Sequence, residues 1–383
     1  MKLTHAVFVA AAAAALSVGI AASLSARAES ETRPLALETL GAQLFVDPDL
    51  SLNRTQSCAT CHAPDHAFAD PRDNAAGGAV SLGDDGVSLG SRNTPSVTYA
   101  ALTPPFHKAA DGAYFGGQFR DGRAVDLEAQ AGQPLLNPIE MGMPDKAHVV
   151  ARLKEKAETA TAFRAAFGAD IFDSDERAFA ALEEALAAFE RSPTVSPFDS
   201  KYDRSLRGEY KLTDQEELGR VLFFSNQFTN CHLCHKLNST GGSAAETFTN
   251  ASFHNIGVPA NPALAIAKDH GLGAREDALG PGPDGQFRTP GLRNVAVTGP
   301  YMHNGVFKDL RTVILFYDKY NSKSARRQTN PETGRPWDEP EIPQDISRKE
   351  LEFGPGLDDR RVDALVAFLK TLTDRRYEHL LEK

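Results

Sequence analysis

Past residue 28 the sequence has no apolar run near the roughly 20 residues that a membrane-spanning helix needs. It also lacks an excess of positive charge. With 51 acidic and 41 basic residues it carries a net charge of −10, which argues against nucleic acid and anionic lipid as partners. No series of alternating apolar and polar residues announces a large sheet. Tryptophan occurs once, as Trp337, and cysteine only four times. All four cysteines fall in two copies of one pentapeptide, CATCH at 58–62 and CHLCH at 231–235.

The N-terminus, MKLTHAVFVAAAAAALSVGIAASLSARAES, has Lys2 near its start, an apolar run from Ala6 to Ala22, and Ala26-Arg27-Ala28 before Glu29. That is the layout of a secretory signal peptide cut after Ala28. A retained membrane anchor is the alternative, and so short and alanine-rich a run fits it less well. Thiols of an exported chain can pair as disulfides. Cys-x-x-Cys followed directly by His, however, is the attachment signature of c-type haem. Each thiol adds across a haem vinyl group, and the His reaches the iron. The two copies assign Cys58, Cys61 and His62 to one haem c and Cys231, Cys234 and His235 to a second. Structural zinc is the rival reading, but it would gather both cysteine pairs into one four-ligand site, and the pairs stand far apart in sequence.

The chain repeats itself once more. Leu40-Gly41-x-x-Leu44-Phe45 precedes the first pentapeptide, and Leu218-Gly219-x-x-Leu222-Phe223 precedes the second. Apolar spacings of three and four predict a short helix at each. A longer helix is predicted from Asp175, with Phe179, Leu182, Leu186 and Phe189 on one face and a stop at Ser192-Pro193. Pro193, Pro197 and the charged stretch to Gly208 read as a connection between domains. Residues 73–93, 238–251, 270–286 and 321–346 read as loops. A closing helix carries Val362, Leu365, Val366, Leu369 and Leu372 on one stripe. The expected fold is mostly α: two cytochrome c-like domains, 29–205 and 206–383, each around one covalently attached haem, with long loops.

Several stretches, in order, resemble the bacterial dihaem cytochrome c peroxidases and their MauG-type relatives: CATCHAPDHAFAD, SRNTPSV, FRDGRAVDLEAQAGQPLLNPIEMG, SPFDSKYD, CHLCH, FHNIGVP and FRTPGLRNVAVTGPYMHNGVFKDLRTVILFYDKYN. The resemblance implies export to the periplasm. It makes the first haem the peroxide-reacting one, the second the electron-handling one, and His62 and His235 the proximal ligands. It places Gln130, Pro134 and Glu140 on the distal side of the first haem. A carboxylate there would carry a proton between the two peroxide oxygens, and an amide would orient it. Opposite His235 it offers Tyr317, with Met302 as competitor. Asn93, Thr298 and Pro300 would hold calcium between the domains, since carbonyl and amide oxygens suit that hard cation.

Three departures stand out. The peroxidases carry a distal His between the first motif and the RNTP stretch, and 67–93 contains none. His66 follows His62 too closely, and His107 lies beyond the stretch; Met141 and Met143 read as packing residues. An inter-haem Trp precedes Asp-Gly-Arg in the family, where this chain has Arg120. The surface Trp that MauG-type proteins place before the second motif is here Thr229. The first function implied is a peroxidase reducing hydrogen peroxide with electrons from a small cytochrome c or cupredoxin. A MauG-type oxidase acting on a protein or small molecule is the second, and a dihaem electron carrier the third. The family's habit adds a homodimer to the expectations.

Overall fold

The computed structural model describes residues 33–237, 245–264, 268–275 and 283–382, so the signal peptide and its cleavage point lie outside the described residues. Two hydrophobic cores organise the chain, each built on a helix crossing. In the first, a helix over 33–45 (α1) crosses the helix Asp175–Glu190 (α2). Ser174 starts α2 by accepting from the Arg177 N–H at 3.4 Å, and Asp175 and Glu176 lie in its positively polarised first turn. Its buried face is the predicted one, Phe179, Leu182, Leu186 and Phe189. The crossing is so close at Gly41 that an added Cβ would stand 1.9 Å from the Ala185 carbonyl oxygen.

The second core repeats this device. The helix Asp214–Phe223 starts with a capping box, in which Thr213 N–H donates to Glu216 at 2.8 Å and Glu216 N–H to Thr213 at 3.3 Å. It crosses the helix Asp359–Lys370 at Gly219, where a Cβ would again stand 1.9 Å from a carbonyl oxygen, that of Ala364. The short sequence repeat around Gly41 and Gly219 is therefore a repeat of packing. Two helices that the sequence reading did not single out, Lys146–Glu155 and Ala157–Phe167, bury Val149, Val150, Leu153 and Phe163 in the first core.

Strand is confined, among the described residues, to antiparallel two-residue pairs and isolated bridges. The pairs are His107–Lys108 with Tyr114–Phe115, Phe253–His254 with Phe287–Arg288, and Thr329–Asn330 with Arg335–Pro336. The last lies in the stretch read as loop, where Trp337 packs edge-on against Phe307 and Phe316 and donates its indole N–H to Arg327 O at 2.8 Å. The 193–208 connection is less free than its proline and charge suggest. Tyr202 packs into the second core, and Asp203 forms a fully buried ion pair with Arg293, at 2.5 and 2.9 Å.

The two cores meet at Asp374. Its carboxylate accepts from the Tyr99 hydroxyl at 2.6 Å and from the Asn294 amide at 2.8 Å. Tyr99 and Asn294 both have φ near +60° (62° and 61°) and each follows a Thr-Pro by four residues, Pro95 and Pro290. The repeat thus extends to the loops that face each other.

Candidate functional site

Each pentapeptide coils into a single helical turn, Cys58–Cys61 and Cys231–Cys234, that puts two thiols on one side and ends in His. The imidazoles are held alike. His62 Nδ1 lies 3.2 Å from Phe68 O, and His235 Nδ1 lies 3.0 Å from Phe248 O. Phe68 and Phe248 turn these carbonyls inward from left-handed backbone, φ 54° and 58°. The carbonyls of Pro95 and Pro290 back them. An Nδ1–H donated to a carbonyl leaves Nε2 as a free lone pair, the state a metal needs. Burial lowers both imidazole pKa values, that of His235 to about 4, so both rings are neutral.

None of the four cysteines is in a disulfide. Burial pushes Cys58 and Cys234 up to about 12 and Cys231 to about 11, and raises Cys61 as well. A redox dithiol needs a thiol of lowered pKa, and these are the reverse. Cys58 packs against the first core and Cys231 against the second, so the pairs do not share one zinc site.

Above the second motif is a cavity of about 220 Å³ whose walls include Cys231, Cys234, His235, Met302 and Tyr317. Tyr317 comes from the helix Leu310–Asp318, started by Asp309, which accepts from the N–H of Arg311 and of Thr312. Its phenol is raised above the usual range, first by burial and then by the thiols of Cys234 and Cys231. Its hydroxyl has no hydrogen-bond partner among the described residues. Met302, at φ 76°, shares the cavity and packs against the cluster of Val258, Phe307 and Phe316. Two guanidinium groups, of Arg120 and Arg288, stand in the cavity wall. Arg288 Nε is buried without a partner, and burial lowers the Arg288 pKa to about 10. Arg120 falls to about 9 through burial and the nearby charges of Arg92 and Arg288. Largely apolar walls, a free imidazole nitrogen and a phenol in one cavity, and two guanidinium groups with no carboxylate partner among the described residues suit a flat apolar ring with carboxylates on its edge. Haem is such a group.

The first motif faces charge instead. Arg72 donates to Cys61 Sγ at 3.3 Å while gripping Asp70 at 2.8 and 2.6 Å. Glu140 is close enough to Cys61 to raise that thiol's pKa. Its own carboxyl is raised by burial, against the opposing pull of Arg123 and a hydrogen bond from Asn137. The loop is fastened by Asp84 N–H donating to Glu140 O at 2.8 Å and Met141 N–H to Pro134 O at 3.2 Å. Pro134 lies in the first turn of the helix Gln133–Leu136, and Gln130 near the end of Leu127–Ala131. The Gln130 amide makes no hydrogen bond among the described residues. His66 pairs with the exposed Asp65, and His107 sits on an exposed hairpin stacked on Phe115. Met141 and Met143 are buried in the first core, as the sequence suggested.

The expected calcium donors are only partly assembled. Asn93 and Thr298 face one small pocket with Asp70, Ser81 and Gly299; Pro300 is not in its wall. Both oxygens of Asn93 are already engaged, Oδ1 by Arg120 Nη2 at 2.6 Å and the carbonyl by Arg120 Nε at 3.0 Å. The donor set does not fit a calcium ion. Thr229 is buried, its hydroxyl donating to Leu222 O at 2.6 Å. The sequence reading missed Arg288, the Phe68 and Phe248 carbonyls and the Arg120–Asn93 bond. The paired Thr-Pro stretches, TPSVTY at 94–99 and TPGLRN at 289–294, were the available signal for the carbonyl cradles.

Comparison with known proteins agrees with this geometry. Residues 36–211 match the family model described as di-haem cytochrome c peroxidase. Methylamine utilization protein MauG of Paracoccus denitrificans (strain Pd 1222) is 58% identical over 355 residues, covering 91% of each chain. Cytochrome c551 peroxidase of Pseudomonas aeruginosa is 31% identical over 72% of this chain and 69% of its own length. The crystal structure of the diheme peroxidase BthA from Burkholderia thailandensis E264 superposes with a TM-score of 0.78 at 35% identity, covering 89% of this chain and 87% of that one.

Proposed function

The chain belongs to the dihaem cytochrome c peroxidase and MauG family of oxidoreductases, and on that premise we propose that it is a periplasmic peroxidase that reduces hydrogen peroxide to water with electrons from a small redox protein. Cys58 and Cys61 tether one haem and Cys231 and Cys234 the other, within cytochrome c-like domains 29–205 and 206–383. Haem, when bound, supplies the iron at which peroxide binds and through which electrons pass. The chain does the rest. His62 and His235 each present Nε2 because a carbonyl holds Nδ1. Glu140 takes a proton from the near oxygen of peroxide and returns it to the far oxygen, and its raised pKa brings it closer to the operating pH. Gln130, its amide free of other bonds, orients that exchange, and Pro134 fixes the loop through Met141. Tyr317 and His235 would hold the second haem from one cavity, the partnerless hydroxyl of Tyr317 favouring it over the packed Met302, and a phenol oxygen as ligand would favour oxidised iron.

The observation that carries this reading is the contrast between the two sites. The first has a carboxyl able to move a proton, and the second has a phenol able to fill a coordination position. A MauG-type role, oxidising a protein substrate, is favoured by Tyr317 and by the 58% identity with MauG. Buried Thr229 counts against it. The test is to mix the oxidised, haem-loaded protein with hydrogen peroxide and a reduced small cytochrome c, without reducing the enzyme first. Sustained oxidation of the cytochrome is expected. Consumption of peroxide with the cytochrome left reduced would overturn the reading in favour of the second.

A further inference from the structure

Arg120 stands at the seam between the cores. Its backbone carbonyl accepts from Arg288 N–H at 2.8 Å, on the side of the second core. Its guanidinium reaches into the loop of the first core and takes both oxygens of Asn93, at 2.6 and 3.0 Å. The other polar groups of Asn93 are used as well. Its amide donates to Ala79 O at 3.2 Å, and its backbone N–H to His303 O at 2.8 Å. Asn93 is buried, 8% exposed, with each of its polar groups engaged. The carboxylate of the adjoining pocket is no freer, because Asp70 is held by both arms of Arg72. The neighbouring cation Arg92 is neutralised separately, by Asp121 and Asp269 at 2.6 Å each.

Calcium gathers six to eight oxygens at about 2.3–2.6 Å. Here a planar guanidinium has gathered the oxygens of Asn93, and a divalent ion on the same atoms would be repelled by it. We propose that the guanidinium of Arg120 is the resident cation of this seam in place of calcium, so that the chain binds no calcium at Asn93 and joins its two cores here through the backbone bonds of Arg120 and Asn93 to Arg288 and His303. The residue that removes the indole expected between the haems also removes the need for the ion. This makes Arg120 a positioning residue, and the inference does not depend on which substrate the enzyme oxidises.

The test uses the haem-loaded full chain. Calcium content is measured by atomic emission after gel filtration, and the melting temperature is recorded in EDTA and in calcium chloride. The wild-type protein is expected to hold no calcium above background and to melt at the same temperature in both. Arg120→Gln frees Asn93 Oδ1, and this variant is expected to gain about one calcium per chain and to melt higher in calcium than in EDTA. Wild-type protein that carries calcium and loses stability in EDTA would overturn the proposal. So would a folded Arg120→Gln variant that binds no more calcium than wild type. If that variant does not fold, the wild-type measurements decide the matter.

Discussion

At Gly41 and at Gly219 a pair of helices crosses with backbone in contact, and phenylalanines pack beside each crossing. In the first half Phe189 lies 5.1 Å from Phe45 and 6.3 Å from Phe68; in the second, Phe368 lies 5.3 Å from Phe223 and 6.5 Å from Phe248. Phe68 and Phe248 are also the residues whose carbonyls hold the two imidazoles. The halves thus agree on everything that sets the position of His62 and His235. They part company on what faces the histidine. The first half turns Glu140, Asp70 and Arg72 toward its motif, and the second turns Tyr317 and a largely apolar wall. One frame can therefore serve two chemistries, with the facing wall deciding between them.

The change expected to separate the halves most is Glu140→Gln. Loss of general acid–base action at the first site should lower peroxide turnover by roughly 10²–10⁴-fold while both haems remain attached, as read from the haem absorbance per protein. Unchanged turnover would remove the chemical distinction between the two walls. Gly41→Ala and Gly219→Ala test the frame. Each pushes a methyl into a carbonyl 1.9 Å away, and each should cost on the order of 1–3 kcal/mol, measured by denaturant unfolding. Clearly unequal costs would show that the crossings are not equivalent.

The finest difference lies one residue past each crossing phenylalanine, where Glu190 in the first half answers to Leu369 in the second, both buried. Burial raises Glu190 from its ordinary value near 4.5 to about 8. Between those values the folded chain keeps a proton that the unfolded chain has lost, so stability falls as pH rises and the full penalty is reached above about 8. Glu190→Gln should therefore leave stability unchanged near pH 4 and raise it at pH 8 by on the order of a few kcal/mol, read as a higher melting temperature at pH 8 only. A pH-independent difference between the two proteins would mean that Glu190 is not a buried, protonated carboxyl.

Much of this was legible in the sequence where the signal was local. The two pentapeptides announce their own turn. The helix from Asp175 to Glu190 and the closing helix from Asp359 to Lys370 are written in spacings of three and four. The repeated Leu-Gly marks both crossings, although nothing in it says that the glycine meets a carbonyl. What stayed hidden depends on partners far along the chain. Arg120 finds Asn93 at 27 residues' distance, and Arg293 finds Asp203 at 90. No periodicity encodes such meetings. For the same reason the connection around Asp203 gave no sign that this carboxylate is buried against Arg293. Nor does the Asn93 loop announce that Arg120 takes both of its oxygens.

Asp374 has a consequence for how the molecule comes apart. Covalently linked domains commonly move relative to one another across polar interfaces. Here Asp374, a buried carboxylate of the second half, accepts from Tyr99 of the first half as well as from Asn294 of its own, and rotation at the seam would strip it of the tyrosine. Leaving such a group unsatisfied costs about 1–3 kcal/mol or more. The junction is a weld rather than a hinge. The halves should melt as a single cooperative unit, and the span between their cofactors is a fixed length built into the fold.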